Sequence, residues 1–150
     1  MPLPDTADEL CAVAKELGAG ADDVLLGDRA TETIIKKLSK ENKLAAYRML
    51  HFATHGTVTG EIEGSSEPGL ILTPPRDQSE LDDGFLSASE VAALKLDADS
   101  VILSACNTAA DGGQRAGALS GLARAFIYAG ARSLLVSFWS VDSVATVKLV

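Results

Sequence analysis

Aromatic side chains are scarce in this chain, at 5% of 150 residues, so its core is expected to be aliphatic. Cysteine is scarcer still. Cys11 and Cys106 lie far apart in different contexts, which excludes a disulfide framework and points to free thiols. With the two histidines they make only the bare four ligands a structural zinc takes, and there is no C-x-x-C pair among them, so no metal is expected. Positive charge is also short. Thirteen Lys and Arg against 21 Asp and Glu give a net charge of −8, which argues against a nucleic-acid surface built on clustered cations. The one dense basic segment, Lys36-Lys37 to Lys43, is interrupted by Glu41 and reads as a solvated helix face. No apolar run reaches the roughly 20 residues that span a bilayer, and Met1-Pro2-Leu3-Pro4-Asp5 does not begin as a secretory signal does. Neither nucleic acid nor membrane is expected as a partner, and the cytoplasm is the expected compartment.

What the chain does have is aliphatic pattern. Thr6-x-x-Glu9 has the form of a capping box ahead of Leu10, Val13, Ala14 and Leu17, one face of a helix closed by Gly18 and Gly20. Val24-Leu25-Leu26 is a short strand candidate, and residues 30–38 form a helix presenting Ile34, Ile35 and Leu38. A long apolar run, Tyr47 to Ala53, stops at Thr54-His55-Gly56. Residues 56–84 change character. Rich in Gly, Pro, Ser and Asp, they read as a long loop with one short strand, Gly69 to Thr73, and so long a connection is more often functional. Ser87-x-x-Glu90 is a second capping box, opening a helix over 88–94. The run Ser100 to Ala105 is the second long strand and stops at Cys106-Asn107-Thr108. A small-residue loop over 109–117 leads to a helix carrying Leu119, Leu122, Ala123, Phe126 and Ile127, with Gly130 at its C-cap, then a strand over 133–139. Asp142 to Val150 reads as the first turns of a further helix with no stop signal. Apolar strands alternating with amphipathic helices predict an α/β fold: a mostly parallel sheet between two helical layers. Residues 1–150 are expected to form one domain, truncated at its C-terminus or part of a larger protein.

The two long strands carry the chemistry. If they are parallel neighbours, His55 and Cys106 meet at one sheet edge, where ligands of open α/β sheets bind. A thiolate is the reactive form of cysteine, and a nearby imidazole can take the thiol proton or protonate a leaving amine. Gly56 lets backbone approach a substrate carbonyl, and its N–H together with that of Cys106 is a candidate oxyanion hole. The plainer reading is a small buried thiol and a structural imidazole. His51, mid-strand among apolar residues, is expected to be packed and hydrogen-bonded. Cys11, on a helix with no partner in view, is expected to be inert. The glycines after Cys106 do not form a P-loop, and Ser104-Ala105-Cys106-Asn107-Thr108 is not a G-x-S-x-G elbow, so no cofactor is expected.

Four ordered segments carry a resemblance. Leu50-His51-Phe52-Ala53-Thr54-His55-Gly56 resembles the histidine motif of the CHAT domain, a caspase-like family of clan CD cysteine peptidases often joined to tetratricopeptide repeats. Val101 to Thr108 resembles its cysteine motif, Gly121 to Arg132 the helix that follows, and Ser137-Phe138-Trp139-Ser140-Val141-Asp142 its Ser-Leu-Trp-x-Val-Asp segment. The resemblance implies a three-layer caspase-like fold. It implies a His–Cys dyad at His55 and Cys106, and an oxyanion contact from Gly56. It also implies a substrate pocket near Ser137, Trp139 and Asp142. An acidic Asp142 there would favour a basic side chain before the cut, but Asp142 equally suits a helix cap. The implied activity is that of a cysteine endopeptidase acting on a protein or peptide, with tetratricopeptide-repeat or other regulatory domains as partners. Two alternatives stand beside it: a catalytically silent signalling or interaction module, and a thiol amidase acting on a small molecule.

Overall fold

The computed structural model describes residues 4–57, 63, 65–77, 79–106 and 114–136; residues 4, 5, 105, 106 and 114–119 are described by their backbone alone. In chain order the elements are α1 (Pro4–Glu16), α2 (Glu32–Lys40), β1 (Met49–Thr57), β2 (Gly69–Ile71), β3 (Phe85–Ser87), α3 (Ala88–Ala92), β4 (Ser100–Cys106), α4 (Gln114–Ala129) and β5 (Leu134–Val136), with short 3-10 turns at 21–23, 27–29 and 44–46. The strands form one sheet in the order β3-β2-β1-β4-β5. β4 pairs in parallel with β1 on one side and β5 on the other, whereas β2 is antiparallel to both β1 and β3. One strand, β2, therefore runs against the other four, and the expected α/β fold with a mostly parallel sheet is the fold observed.

Side-chain alternation along β4 splits the interior into two layers. Val101 and Leu103 join a continuous apolar core with Ile35, Leu70, Leu86, Val91, Leu122 and Phe126, which places α2, α3 and α4 on that face. The Phe126 ring, fully buried, meets that of Phe52 at a centroid distance of 5.5 Å. Ile102 and Ser104 lie on the opposite face, and Ser104 is bonded there to Glu9 of α1.

Local signals account for three of the helix ends. Thr31 caps α2 by accepting from the Ile34 amide at 3.3 Å, and the Ser87–Glu90 capping box opens α3 as expected. At the end of α4 the Ala131 amide reaches back to the Phe126 carbonyl at 3.0 Å, with Gly130 at φ +121°. A Cβ at Gly130 would stand 2.0 Å from the Leu96 carbonyl oxygen, so only glycine fits the turn.

Some expectations fail. Thr6 does not cap α1, because the chain is already helical at Pro4, a residue suited to a helix's first turn. Glu9 therefore falls within the helix. Its buried face is Glu9 and Val13, while Leu17 is 56% exposed. Val24-Leu25-Leu26 lies between two 3-10 turns and joins no strand. α4 starts at Gln114, inside the segment read as loop. Gln114, Arg115 and Ala116 are good helix formers, and the small residues around them masked that preference.

Within the segment read as a long loop, the expected short strand is β2. It pairs with β3 just past the segment's end, and this hairpin is tied down by α2. The buried Glu32 Oε1 accepts from the amides of Asp83, Gly84 and Phe85 at 3.1, 2.7 and 2.8 Å. Its Oε2 pairs with Lys36 at 2.7 Å, and the same ammonium reaches Glu90 at 2.7 Å and the Leu81 carbonyl at 2.6 Å. Asp82 accepts from the Thr33 amide at 2.9 Å and its hydroxyl at 2.6 Å. Burial opposes ionisation at Asp82 and Glu90, but it is outweighed by the combined bonds and charge around each, led by Thr33 at Asp82 and by Lys36 with Ser87 at Glu90, which hold both carboxyls below the usual range. At Glu32 burial wins and raises the carboxyl pKa, with Lys36 opposing.

Candidate functional site

The two strands that end in His55 and Cys106 are neighbours. Five successive pairs, from Met49 opposite Ser100 to Ala53 opposite Ser104, keep one register. The next pair is Gly56 opposite Cys106, so three residues of β1 (Thr54, His55, Gly56) span two of β4 (Ala105, Cys106). This is a bulge-type irregularity, a feature that bends a strand and re-aims side chains. His55 sits within it, half-buried. β1 continues to Thr57, beyond the end expected from the apolar run. Gly56 consequently carries a partner on each side, Leu70 of β2 and Cys106 of β4. The oxyanion expectation thus falls on one of the last rungs of the ladder rather than past its end. The Thr54 hydroxyl donates to the Ile71 carbonyl and adds a side-chain tie between β1 and β2.

The described part of Cys106 is its backbone. Ser137, Trp139 and Asp142 lie outside the described residues, as do residues 109–113 of the small-residue loop; β5, which leads toward Ser137, pairs with β4 up to Val136 opposite Leu103. Cys11 is exposed on α1.

Behind the strand ends lies a polar cluster that sequence reasoning found only in part. His51 was expected to be packed and hydrogen-bonded, and it is. Its Nε2 lies 2.6 Å from Ser104 Oγ and 3.1 Å from Glu9 Oε1, and the Ser104 hydroxyl donates to the same Glu9 oxygen at 2.6 Å. All three side chains are buried. Because the serine proton goes to Glu9, the Nε2–H is the donor, and Nδ1 is left as a buried acceptor with no partner among the described residues. Burial pushes the His51 pKa below its ordinary value, and the Glu9 carboxylate pulls the other way. Glu9 was missed because it was assigned to a cap. A signal existed: two polar residues in buried central strands, His51 and Ser104, require a partner from the covering layer. His51 and His55 do stand four positions apart, a spacing that pairs ligands on a helix. On an extended strand it separates them by about 13 Å, so it does not make a metal pair.

No helix among the described residues is long and apolar enough to cross a membrane. None of the curated proteins and none of the solved structures matches this chain. The family model described as the CHAT domain does match, over residues 1–150. That match spans both strand ends, the helix after the cysteine and the final segment, and the fold has the α/β architecture of this caspase-like family; the chain belongs to the CHAT domain family.

Proposed function

We propose that the chain is a caspase-like cysteine endopeptidase domain in which Cys106 is the nucleophile and His55 the general acid and base. The observation that carries this reading is the β1–β4 register: His55 directly precedes Gly56, and Gly56 is the ladder partner of Cys106. The thiolate of Cys106 attacks the scissile carbonyl carbon, a C–S bond forms, and the carbonyl electron pair moves onto oxygen. The N–H groups of Gly56 and Cys106 receive that charge, a contact worth about 3 kcal/mol per donor in comparable sites. His55, carrying the thiol proton, delivers it to the leaving amine as the C–N bond breaks. Water activated by the neutral imidazole then hydrolyses the thioester. Ser137, Trp139 and Asp142 line the pocket for the residue before the cut. Protein or peptide substrates, control by tetratricopeptide-repeat or other attached domains, and a cytoplasmic setting complete the proposal.

The test is alkylation. In a Cys11→Ala background, iodoacetamide reports on Cys106 alone. Labelling well below the ordinary thiol pKa of about 8.5, lost in His55→Ala, is the expected result, and Cys106→Ala abolishes peptide cleavage with little change in stability. A Cys106 that titrates as an ordinary buried thiol overturns the reading and leaves a binding module. A reactive thiol that cleaves no member of a peptide library but hydrolyses small amides overturns the endopeptidase assignment in favour of an amidase.

A further inference from the structure

The cluster of Glu9, Ser104 and His51 is placed where it governs the geometry of the strand ends. Ser104 stands two residues before Cys106 on β4, and His51 four before His55 on β1. Both lie on the regular side of the bulge: Ser104 belongs to the last pair in register, with Ala53, and His51 stands two rungs before it. The link between them is not made by the two strands alone. Glu9 Oε1 accepts from Ser104 Oγ at 2.6 Å and lies 3.1 Å from His51 Nε2, so one carboxylate oxygen from α1 closes a three-membered ring across the sheet.

The same atoms in another order would suggest a serine nucleophile, and the geometry rules that out. A hydrolytic triad places its serine and its carboxylate on different imidazole nitrogens, so that the ring relays a proton between them. Here both partners share Nε2, Ser104 donates to the carboxylate, and Ser104 is buried away from any substrate. The cluster is built for holding rather than for attack.

Holding matters at this place. β1 inserts one residue against β4 immediately after the cluster, and the inserted stretch contains His55. A strand pair that is free to slip by one residue exchanges its two faces. The cluster fixes the offset from which the bulge departs. Its anchor also belongs to a lightly attached helix: among the described side chains of α1, only Glu9 and Val13 are buried. Seating α1 and closing the ring are therefore one event.

We propose that Glu9 is a positioning residue for the thiol chemistry. Docked from α1, it ties Ser104 of β4 to His51 of β1 and sets the offset at which His55 and Cys106 are held near the strand ends, so that α1 acts as a latch on the site. The inference rests on the His55–Cys106 reading above and assigns its control to the first helix.

The experiment compares the pH profile of Cys106 alkylation in the full chain, in the Cys11→Ala background, for Glu9, Glu9→Gln and Glu9→Ala. Glutamine keeps an acceptor oxygen at the same reach without the charge. The expected result is a profile within about twofold of the parent for Glu9→Gln. For Glu9→Ala the labelling rate at neutral pH falls at least tenfold and the midpoint moves toward the ordinary thiol value of about 8.5, in protein that circular dichroism shows to be folded. A purely structural Glu9 lowers the melting temperature of Glu9→Ala and leaves its midpoint in place, and that outcome overturns the proposal. If Glu9→Ala does not fold, Ser104→Ala makes the same comparison, because Glu9 keeps its direct contact with His51 there. An unmoved midpoint in Ser104→Ala likewise overturns it. A parent protein whose thiol is unperturbed and indifferent to His55→Ala defeats the dyad reading itself, a result separate from either of these.

Discussion

Glu32→Ala is the sharpest test of how the β2–β3 hairpin is held against α2. Removing the carboxylate leaves the Gly84 and Asp83 amides, now 2.7 and 3.1 Å from Oε1, without their acceptor. Phe85 keeps a second acceptor, Asp83 Oδ1 at 2.9 Å, and Lys36 keeps Glu90 and the Leu81 carbonyl. Two orphaned donors at about 1–3 kcal/mol each give a loss of roughly 4 kcal/mol. That is a large share of the ~5–15 kcal/mol that holds a typical domain together. With a urea m-value near 2 kcal/mol/M, the unfolding midpoint followed by circular dichroism should fall by about 2 M. The companion variant is Glu32→Gln. Burial raises the Glu32 pKa despite Lys36, which means folding does not favour the ionised form over the neutral one. The acceptor oxygen, not the charge, then carries the effect, and Glu32→Gln should lose less than about 1 kcal/mol. A Glu32→Ala loss below about 1 kcal/mol would show that the amides are satisfied elsewhere. Equal losses in the two variants would show that the charge was the active part.

Two further outcomes follow from the same geometry. His51 holds its folded pKa below the unfolded value of about 6.5. Just below that pH the unfolded chain binds a proton that the folded chain refuses, so stability falls as pH falls, at up to about 1.4 kcal/mol per pH unit. Urea titrations between pH 7.5 and 5 should therefore show a shallower decline in His51→Gln than in the parent; an unchanged slope would mean that His51 accepts its proton in the folded state. Gly130→Ala should cost about 3 kcal/mol, since the new methyl meets the Leu96 carbonyl at 2.0 Å on a backbone at φ +121°. A melting temperature within 2 °C or so of the parent would show that the turn rearranges freely.

Local pattern was enough for the long strands, for the capping box at Ser87–Glu90 and for the C-cap at Gly130, because each is a relation between residues a few positions apart. It was enough as well to single out His55, Gly56 and Cys106, the residues on which the proposed chemistry rests. The β3 strand escaped it, and so did the antiparallel direction of β2, whose presence within Gly69 to Thr73 was expected, since a three-residue strand has no periodicity to read and pairing direction is set by partners. So did the two most consequential carboxylates. Glu9 resembled a cap, Glu32 stood out in no motif, and charged residues are rarely buried. Each is buried because backbone amides or polar side chains more than 40 positions away converge on it. Sequence alone determined the two long strands, the bodies of the helices and which side chains bear reactive groups, since these follow from residue type and short spacing. Tertiary structure decided which strands adjoin, where their register slips, and which acids are enclosed, because those depend on groups that only folding brings together.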